Sequence, residues 1–577
     1  MEIRGPPTVI RPPPTPREDL DRALEELAAH KQEWVDLPIG ERISLARGLR
    51  RDYLRVQERW SDLSVAAHGV EKRMLANDRE WLDIALNNRL HYNLEMALRD
   101  IMKRGRPRVA GGYTARPDGQ VVAHVYPPMR VDAYMFQGTT MEVWLEPDVD
   151  LDEARERQAE RYRGAGGEGR TALVLGAGNA STLPPSDTIH KMFHDLRVAV
   201  LKMNPVNSYL GPLLEEAYRG LIDGGYLRIV YGGADEGRYL AEHPLVDEVH
   251  MTGSDRTFEA VVFGPGREGA ERKARGEPLL DKPVDGELGC ITPWVIVPGD
   301  WSLEEVSEQA AKMAFWMMRN EGYLCFAPRV LVLWDRWPLR DAFIKGLVDA
   351  LSKVEPIRAY YPGSAEKQRE FVAAHPEAIQ IGGEKEGHVP WTVIPDVSPD
   401  TRDDICFTRE SFSGMVAESA IGGEDVPGFL DRSVAWLNDR VWGTLSATLV
   451  VREEDQEGAG TRTAVERAVE GLRYGTVAIN VSGVFGIATQ IAPWGGFPGS
   501  PITDIQSGNA KVANLLMLHR PQKTVIRAPF HMSPNPFGGA AEDLHVFGRK
   551  FAAYGYKPTM WKLPGLYLSA KRSSLKR

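Results

Sequence analysis

The sequence predicts an α/β protein of two consecutive units, each a parallel sheet with helices on its faces, preceded by a helical region. Three observations carry that expectation. Short β-branched or apolar runs recur at 172–175, 198–201, 227–231 and 249–251, with helix-compatible stretches at 208–223 and 235–243 between them. That is the pattern of repeated βαβ units. The alternation resumes after Gly289 with a strand at 291–297, a helix at 303–319, a strand at 329–333 and a helix at 339–352. The third observation is length, since 577 residues exceed what one hydrophobic core fills.

In order along the chain, residues 1–16 carry six prolines and predict an extended, poorly ordered arm. Residues 17–110 read as helical. Apolar positions 43, 45, 46, 49, 53 and 54 mark one helix face there. Residues 111–286 form the first α/β unit, with a β-rich segment at 111–147 and a charged, Gly-rich surface insertion at 265–286. The second unit spans 287–480, a return segment and a short strand follow over 481–529, and 530–577 form a C-terminal extension ending in basic residues. Apolar and charged fractions of 43% and 26% are those of a folded soluble chain. A net charge of −10 argues against general nucleic-acid binding. No apolar run reaches the roughly 20 residues that span a bilayer. The prolines at the start replace the apolar core of a signal peptide, and three cysteines (Cys290, Cys325, Cys406) suit a reducing cytoplasm.

Specificity comes from an ordered series of motifs. Gly176-Ala-Gly-Asn179 follows a strand, and Lys202 comes 23 positions later in Val-Leu-Lys-Met-Asn-Pro. Then come Val230-Tyr-Gly-Gly233, Thr252-Gly253-Ser254, Glu287-Leu-Gly289 and Asn320-Glu-Gly-Tyr-Leu-Cys325-Phe-Ala-Pro-Arg329. Glu410-Ser-Phe412, Asn438, Gly443-Thr-Leu, Leu472-Arg-Tyr-Gly-Thr-Val-Ala-Ile-Asn480 and Pro493-Trp-Gly-Gly-Phe497 complete it. Over about residues 40 to 515 this series resembles the aldehyde dehydrogenase superfamily. The resemblance implies a Rossmann-type NAD(P)-binding domain, an α/β catalytic domain and a small oligomerisation element.

It also implies a chemistry with four needs. A thiolate nucleophile attacks a carbonyl carbon and later leaves as the thioester is resolved, and Cys325 stands in that place. The oxyanion that forms needs fixed N–H donors, which the resemblance assigns to the Asn179 amide and the Cys325 backbone. A carboxylate in a partly desolvated pocket can activate water, and Glu287 matches that base. The nicotinamide cofactor falls to Lys202, Gly233, the Thr252-Gly253-Ser254 turn at a helix start, Glu410 and Phe412. Three departures stand out. Phe258 occupies a position where hydrolytic members often carry glycine, and Cys290 follows Gly289 where glycine is usual. Pro205 replaces an acid associated with NAD preference, so either NAD or NADP is expected, with NADP accepted.

The leading expectation is oxidation of an aldehyde to a carboxylic acid. The alternatives are a coenzyme A-acylating enzyme or acyl-CoA reductase, and a catalytically silent nucleotide-binding protein on the same fold. Trp316, Met317 and Met318 come from the helix before Cys325, one of them free to line a substrate tunnel while the others pack the core. The resemblance further implies a homodimer or homotetramer pairing through a strand at 523–529.

Overall fold

The structure, a computed structural model, describes residues 8–69, 73–164, 167–383, 385–531 and 544–575. Two sheets organise it. The smaller has five parallel strands in the order Leu227–Val230, Val198–Lys202, Thr171–Leu175, Glu248–Gly253 and Val284–Leu288. Helices cover it on both sides, so its strands read as nearly continuous apolar runs rather than alternating ones. The larger sheet has eleven strands and is parallel through its centre: Pro521–Arg527, Thr476–Ile479, Ser446–Val450, Thr292–Ile296, Pro328–Trp334, Met415–Ile421 and Trp391–Ile394. These are the two α/β units of the sequence pattern.

Three helices precede them: Arg17–Asp36, Ile39–Ala67 and Arg73–Arg104. Pro16 and Pro38 sit at the caps of the first two, where a missing N–H costs nothing. The first helix packs on the five-stranded sheet, and its Trp34 indole donates to the Met192 carbonyl at 3.0 Å. Of the predicted apolar face, Ile43, Ala46, Leu49 and Tyr53 are buried but Leu54 is exposed.

The structure differs from the sequence reading in five places. Residues 1–7 of the arm lie outside the described residues, yet 8–16 are not loose. The Thr15 N–H donates to the Tyr231 carbonyl at 3.0 Å, and Arg11 lies 5.6 Å over the Tyr209 ring. The β-rich segment forms Tyr113–Ala115, Val121–Tyr126 and Thr140–Leu145, but these extend the larger sheet, not the smaller. They get there because Thr140–Leu145 pairs antiparallel with Pro521–Arg527. The strand expected between subunits is thus bonded on both edges inside its own chain. The insertion is shorter than its composition suggests. Gly266–Arg275 is a helix laced by Arg267–Glu271 and Arg272–Glu268 pairs, while Val284 to Gly286 already belong to the last strand of the smaller sheet. Finally, residues 532–543 and the last two lie outside the described residues, but the rest of the extension forms helices Leu544–Tyr556 and Leu563–Leu575, the first packed along Arg73–Arg104.

Candidate active site

The site lies where the C-terminal ends of the smaller sheet's strands face the larger sheet. After strand Thr171–Leu175 the chain turns through Gly176 to Gly178. A Cβ at Gly178 would sit 2.5 Å from the Asn204 side chain, so only glycine fits. That turn presents Asn179, whose amide donates to the Tyr323 carbonyl at 3.0 Å. In return the Asn320 amide donates to the Asn179 carbonyl at 2.5 Å. The two bonds tie the first unit to the loop that carries Cys325.

That loop is sharply folded. Asn320, Glu321 and Gly322 are left-handed in succession, with φ of 50°, 56° and 80°. They reverse the chain between helix Leu303–Met318 and strand Pro328–Trp334. At Gly322 a side chain would meet the Gly414 nitrogen at 2.6 Å. Arg329, buried, donates to the carbonyls of Gly322, Leu324 and Ser413 and pins the loop from inside. The Thr292 hydroxyl donates to the Cys325 carbonyl at 3.1 Å. Cys325 is half-buried, whereas Cys290 and Cys406 are buried.

Glu287 rides on strand Val284–Leu288, whose alternation puts Asp285 and Glu287 on one face. Its carboxylate accepts the Trp494 indole N–H at 3.0 Å. Burial, reinforced by the charge of Asp187, pushes its pKa up to about 8, against the opposing effect of the Trp494 bond. Two residues earlier the balance is reversed. Against the pull of burial, the Lys191 ammonium and the His250 ring hold the Asp285 carboxyl well below its usual range. Lys191 reaches Asp285 at 2.6 Å and Glu248 at 3.2 Å, anchoring the strand that carries Glu287. Burial and the charges of Glu287 and Glu410 push the Cys325 thiol well above its ordinary value.

Two cavities meet here, and Asn179, Leu183 and Cys325 belong to the walls of both. The larger, about 580 Å³, takes in Glu287 and all seven predicted cofactor positions: Lys202, Gly233, Thr252, Gly253, Ser254, Glu410 and Phe412. Their polar groups are not equally available. Burial brings Lys202 down to about 8. The Ser254 hydroxyl accepts the Thr257 N–H and caps helix Asp255–Phe263. The Thr252 hydroxyl is turned onto Asp187 at 2.8 Å, and the Gly233 N–H donates to Glu236 at 2.6 Å. Glu410, raised by burial to about 7, accepts the Cys290 N–H at 3.3 Å. The smaller cavity, about 150 Å³ and mostly apolar, lies beyond Cys325.

The departures acquire reasons. Gly289 leaves room for the Glu410 carboxylate, which a Cβ there would meet at 2.0 Å and displace. Cys290 is accommodated instead by Gly443, whose own Cβ would meet the Cys290 Cα at 2.9 Å. Phe258 is fully buried and packs under Gly286, so it fills the core. Trp316 lines the smaller cavity, while Met317 is buried in the core and Met318 is packed against it. The sequence reading assigned no role to Trp494, Arg329 or Asn320, although all three lie inside the quoted motifs. It had no signal for Phe551, Tyr554 and Gly555, which border the smaller cavity from the C-terminal extension.

The aldehyde dehydrogenase family model matches residues 198–364. A chloroplastic betaine aldehyde dehydrogenase of Amaranthus hypochondriacus is 28% identical over 319 residues, 52% of this chain and 56% of that protein. A 3,6-anhydro-alpha-L-galactose dehydrogenase of Streptomyces coelicolor is 31% identical over 222 residues, 37% of this chain and 38% of that protein. Over residues 198–364 the chain therefore carries the sequence pattern of the aldehyde dehydrogenase family. Its match spans about half the length of the first of these relatives. At the level of fold the likeness is broader. The glyceraldehyde-3-phosphate dehydrogenase of Methanocaldococcus jannaschii complexed with NADP aligns with TM-score 0.57 and 15% identity, covering 91% of this chain and 99% of that one. A NAD-dependent aldehyde dehydrogenase from Sinorhizobium meliloti aligns with TM-score 0.58 and 17% identity, covering 89% and 87%. The fold is thus shared over nearly the whole chain.

Proposed function

We propose that this protein oxidises an aldehyde to a carboxylic acid, with NAD+ or NADP+ as acceptor. The observation that carries the reading is the seat of Cys325 on the shared wall of two cavities, within the field of the buried Glu287 carboxyl. An aldehyde in the smaller cavity presents its carbonyl carbon to the Cys325 sulfur, and the thiol proton passes to a base with a pKa near neutral. As the sulfur–carbon bond forms, the oxygen becomes negative. The second N–H of the Asn179 amide and the Cys325 backbone N–H are the donors at hand.

The larger cavity suits a dinucleotide. It offers a cation at Lys202, a helix start at Ser254 and a buried carboxyl at Glu410 able to accept from ribose hydroxyls. When bound, the dinucleotide supplies the two-electron acceptor that turns the thiohemiacetal into a thioester. Glu287 then takes a proton from water, the oxygen adds to the acyl carbon, and the acid departs as the Cys325 thiol is restored. Pro205 leaves no carboxylate to repel a 2′-phosphate three positions after Lys202, which supports acceptance of NADP+. Three free thiols suit a reducing compartment such as the cytoplasm.

Cys325→Ala is expected to abolish turnover while leaving dinucleotide binding intact. Glu287→Gln is expected to keep a single-turnover burst of NAD(P)H and to slow the steady state by about 10²–10⁴-fold. The acyl group should then remain on Cys325, visible in the intact mass. Acceleration by coenzyme A, with an acyl-CoA product, would replace hydrolysis with the acyl-transfer alternative. Retained activity in Cys325→Ala would overturn the reading.

A further inference from the structure

The C-terminal extension contributes to the wall of the smaller cavity. We propose that helix Leu544–Tyr556 is its roof and sets its selectivity, favouring aldehydes with an apolar body of about six carbons over short ones; this rests on the function proposed above. Phe551, Tyr554 and Gly555 border the cavity, and their spacing puts them on one helix face. The proposed nucleophile lines the same cavity from a loop more than 200 residues earlier in the chain.

The roof is held in place by independent contacts. The Tyr554 hydroxyl donates to Asp132 at 2.7 Å, and the other Asp132 oxygen takes Arg89 at 2.8 Å. These three groups lie on the cavity wall and spend their polarity largely on one another. The Asn88 amide donates to the Ala552 carbonyl at 2.9 Å. At Gly555 a Cβ would sit 2.6 Å from the Ala85 carbonyl, so glycine lets the helix descend onto Arg73–Arg104. The Phe551 ring meets Phe136 edge-on at 6.2 Å, and Phe136 meets Phe485 at 5.2 Å.

Most of what faces the cavity is carbon, chiefly from Leu82, Leu86, Phe136, Trp316, Phe485 and Phe551. An apolar space near 150 Å³ is large enough for a benzene-sized body. A two-carbon aldehyde leaves most of that wall untouched. Each methylene placed against it is worth about fourfold in binding. The structure therefore assigns chain-length selectivity to a segment far from the catalytic motifs.

The test compares kcat/KM for hexanal and acetaldehyde in the full chain. The wild type is expected to favour hexanal at least tenfold. Phe551→Trp, which thickens the roof, should cut that ratio at least tenfold. Tyr554→Phe, which frees the roof from Asp132 but keeps the ring, should raise KM for hexanal at least threefold with kcat little changed. A loss of folded protein would lower both aldehydes together and leave the ratio alone. Ratios within twofold of wild type in both variants would overturn the proposal. Ligand-observed NMR with the unreactive hexanamide separates this from the proposed function. If no aldehyde is oxidised, that function fails, while the roof stands if hexanamide binds the wild type and not Phe551→Trp. It falls if hexanamide binds both equally or neither.

Discussion

Glu287 illustrates how one residue type acquires its role from its surroundings. Asp285, two residues earlier on the same strand, is held charged by Lys191 and His250, whereas burial leaves Glu287 near neutrality, with a pKa of about 8. Only its ionised form can take a proton from water. The steady-state rate is therefore expected to rise with pH through about 8 and level off above it. The Trp494 N–H favours the carboxylate, so Trp494→Phe should move that rise to higher pH. A pH–rate profile whose midpoint stays put, or moves down, would show that the indole does not tune the base. The residue type and motif of Glu287 were legible in the sequence. Its partner Trp494, 207 positions away, was not, because nothing local records which indole will fold over it.

Among the elements, the loop from Arg319 to Arg329 is the most exacting. Three left-handed residues in a row are costly unless the surroundings over-determine them. Arg329 does so by bonding three carbonyls at once, a planar arrangement that a lysine ammonium cannot match. Arg329→Lys should leave one or two buried carbonyls unpaired, at about 1–3 kcal/mol each. The loop, and with it Cys325, would then shift. A displacement of order 1 Å near the reacting atoms typically costs about 10²-fold in rate. We expect a lowered Tm together with that loss of kcat; unchanged kcat in a folded Arg329→Lys protein would remove the arginine from this role. Helix and strand positions around the loop were legible from periodicity, since Leu303–Met318 and Pro328–Trp334 both appear near their predicted bounds. The left-handed run was only partly legible, for Asn320 and Gly322 favour that region but Glu321 does not.

For the whole molecule, the decisive feature is how the large sheet is extended beyond its parallel centre. Pro521–Arg527 is parallel to Thr476–Ile479 on one side and antiparallel to Thr140–Leu145 on the other, so neither edge is open to a second subunit. The strand that the family resemblance places between subunits is here paired within its own chain. Light scattering on the eluted protein should give a monomer near 64 kDa. A stable dimer that is broken by proline substitution within Pro521–Arg527 would mean that the strand is shared between chains. The C-terminal helices belong to this scale as well, since Leu544–Tyr556 joins the N-terminal helices to the smaller cavity.

By itself the sequence determined the two α/β units, the order of the motifs and the residue types of the proposed nucleophile, base and amide. The units rest on periodicity set by strand and helix geometry, while the proposed roles rest on the resemblance of the ordered motifs to those of a known family. Tertiary structure alone decided which unit the segment 111–147 joins, which groups the predicted cofactor residues actually face, and what roofs the space beyond Cys325. Each of those depends on contacts between residues hundreds of positions apart. Their energies come from burial and pairing in three dimensions, and these leave no periodic trace along the chain.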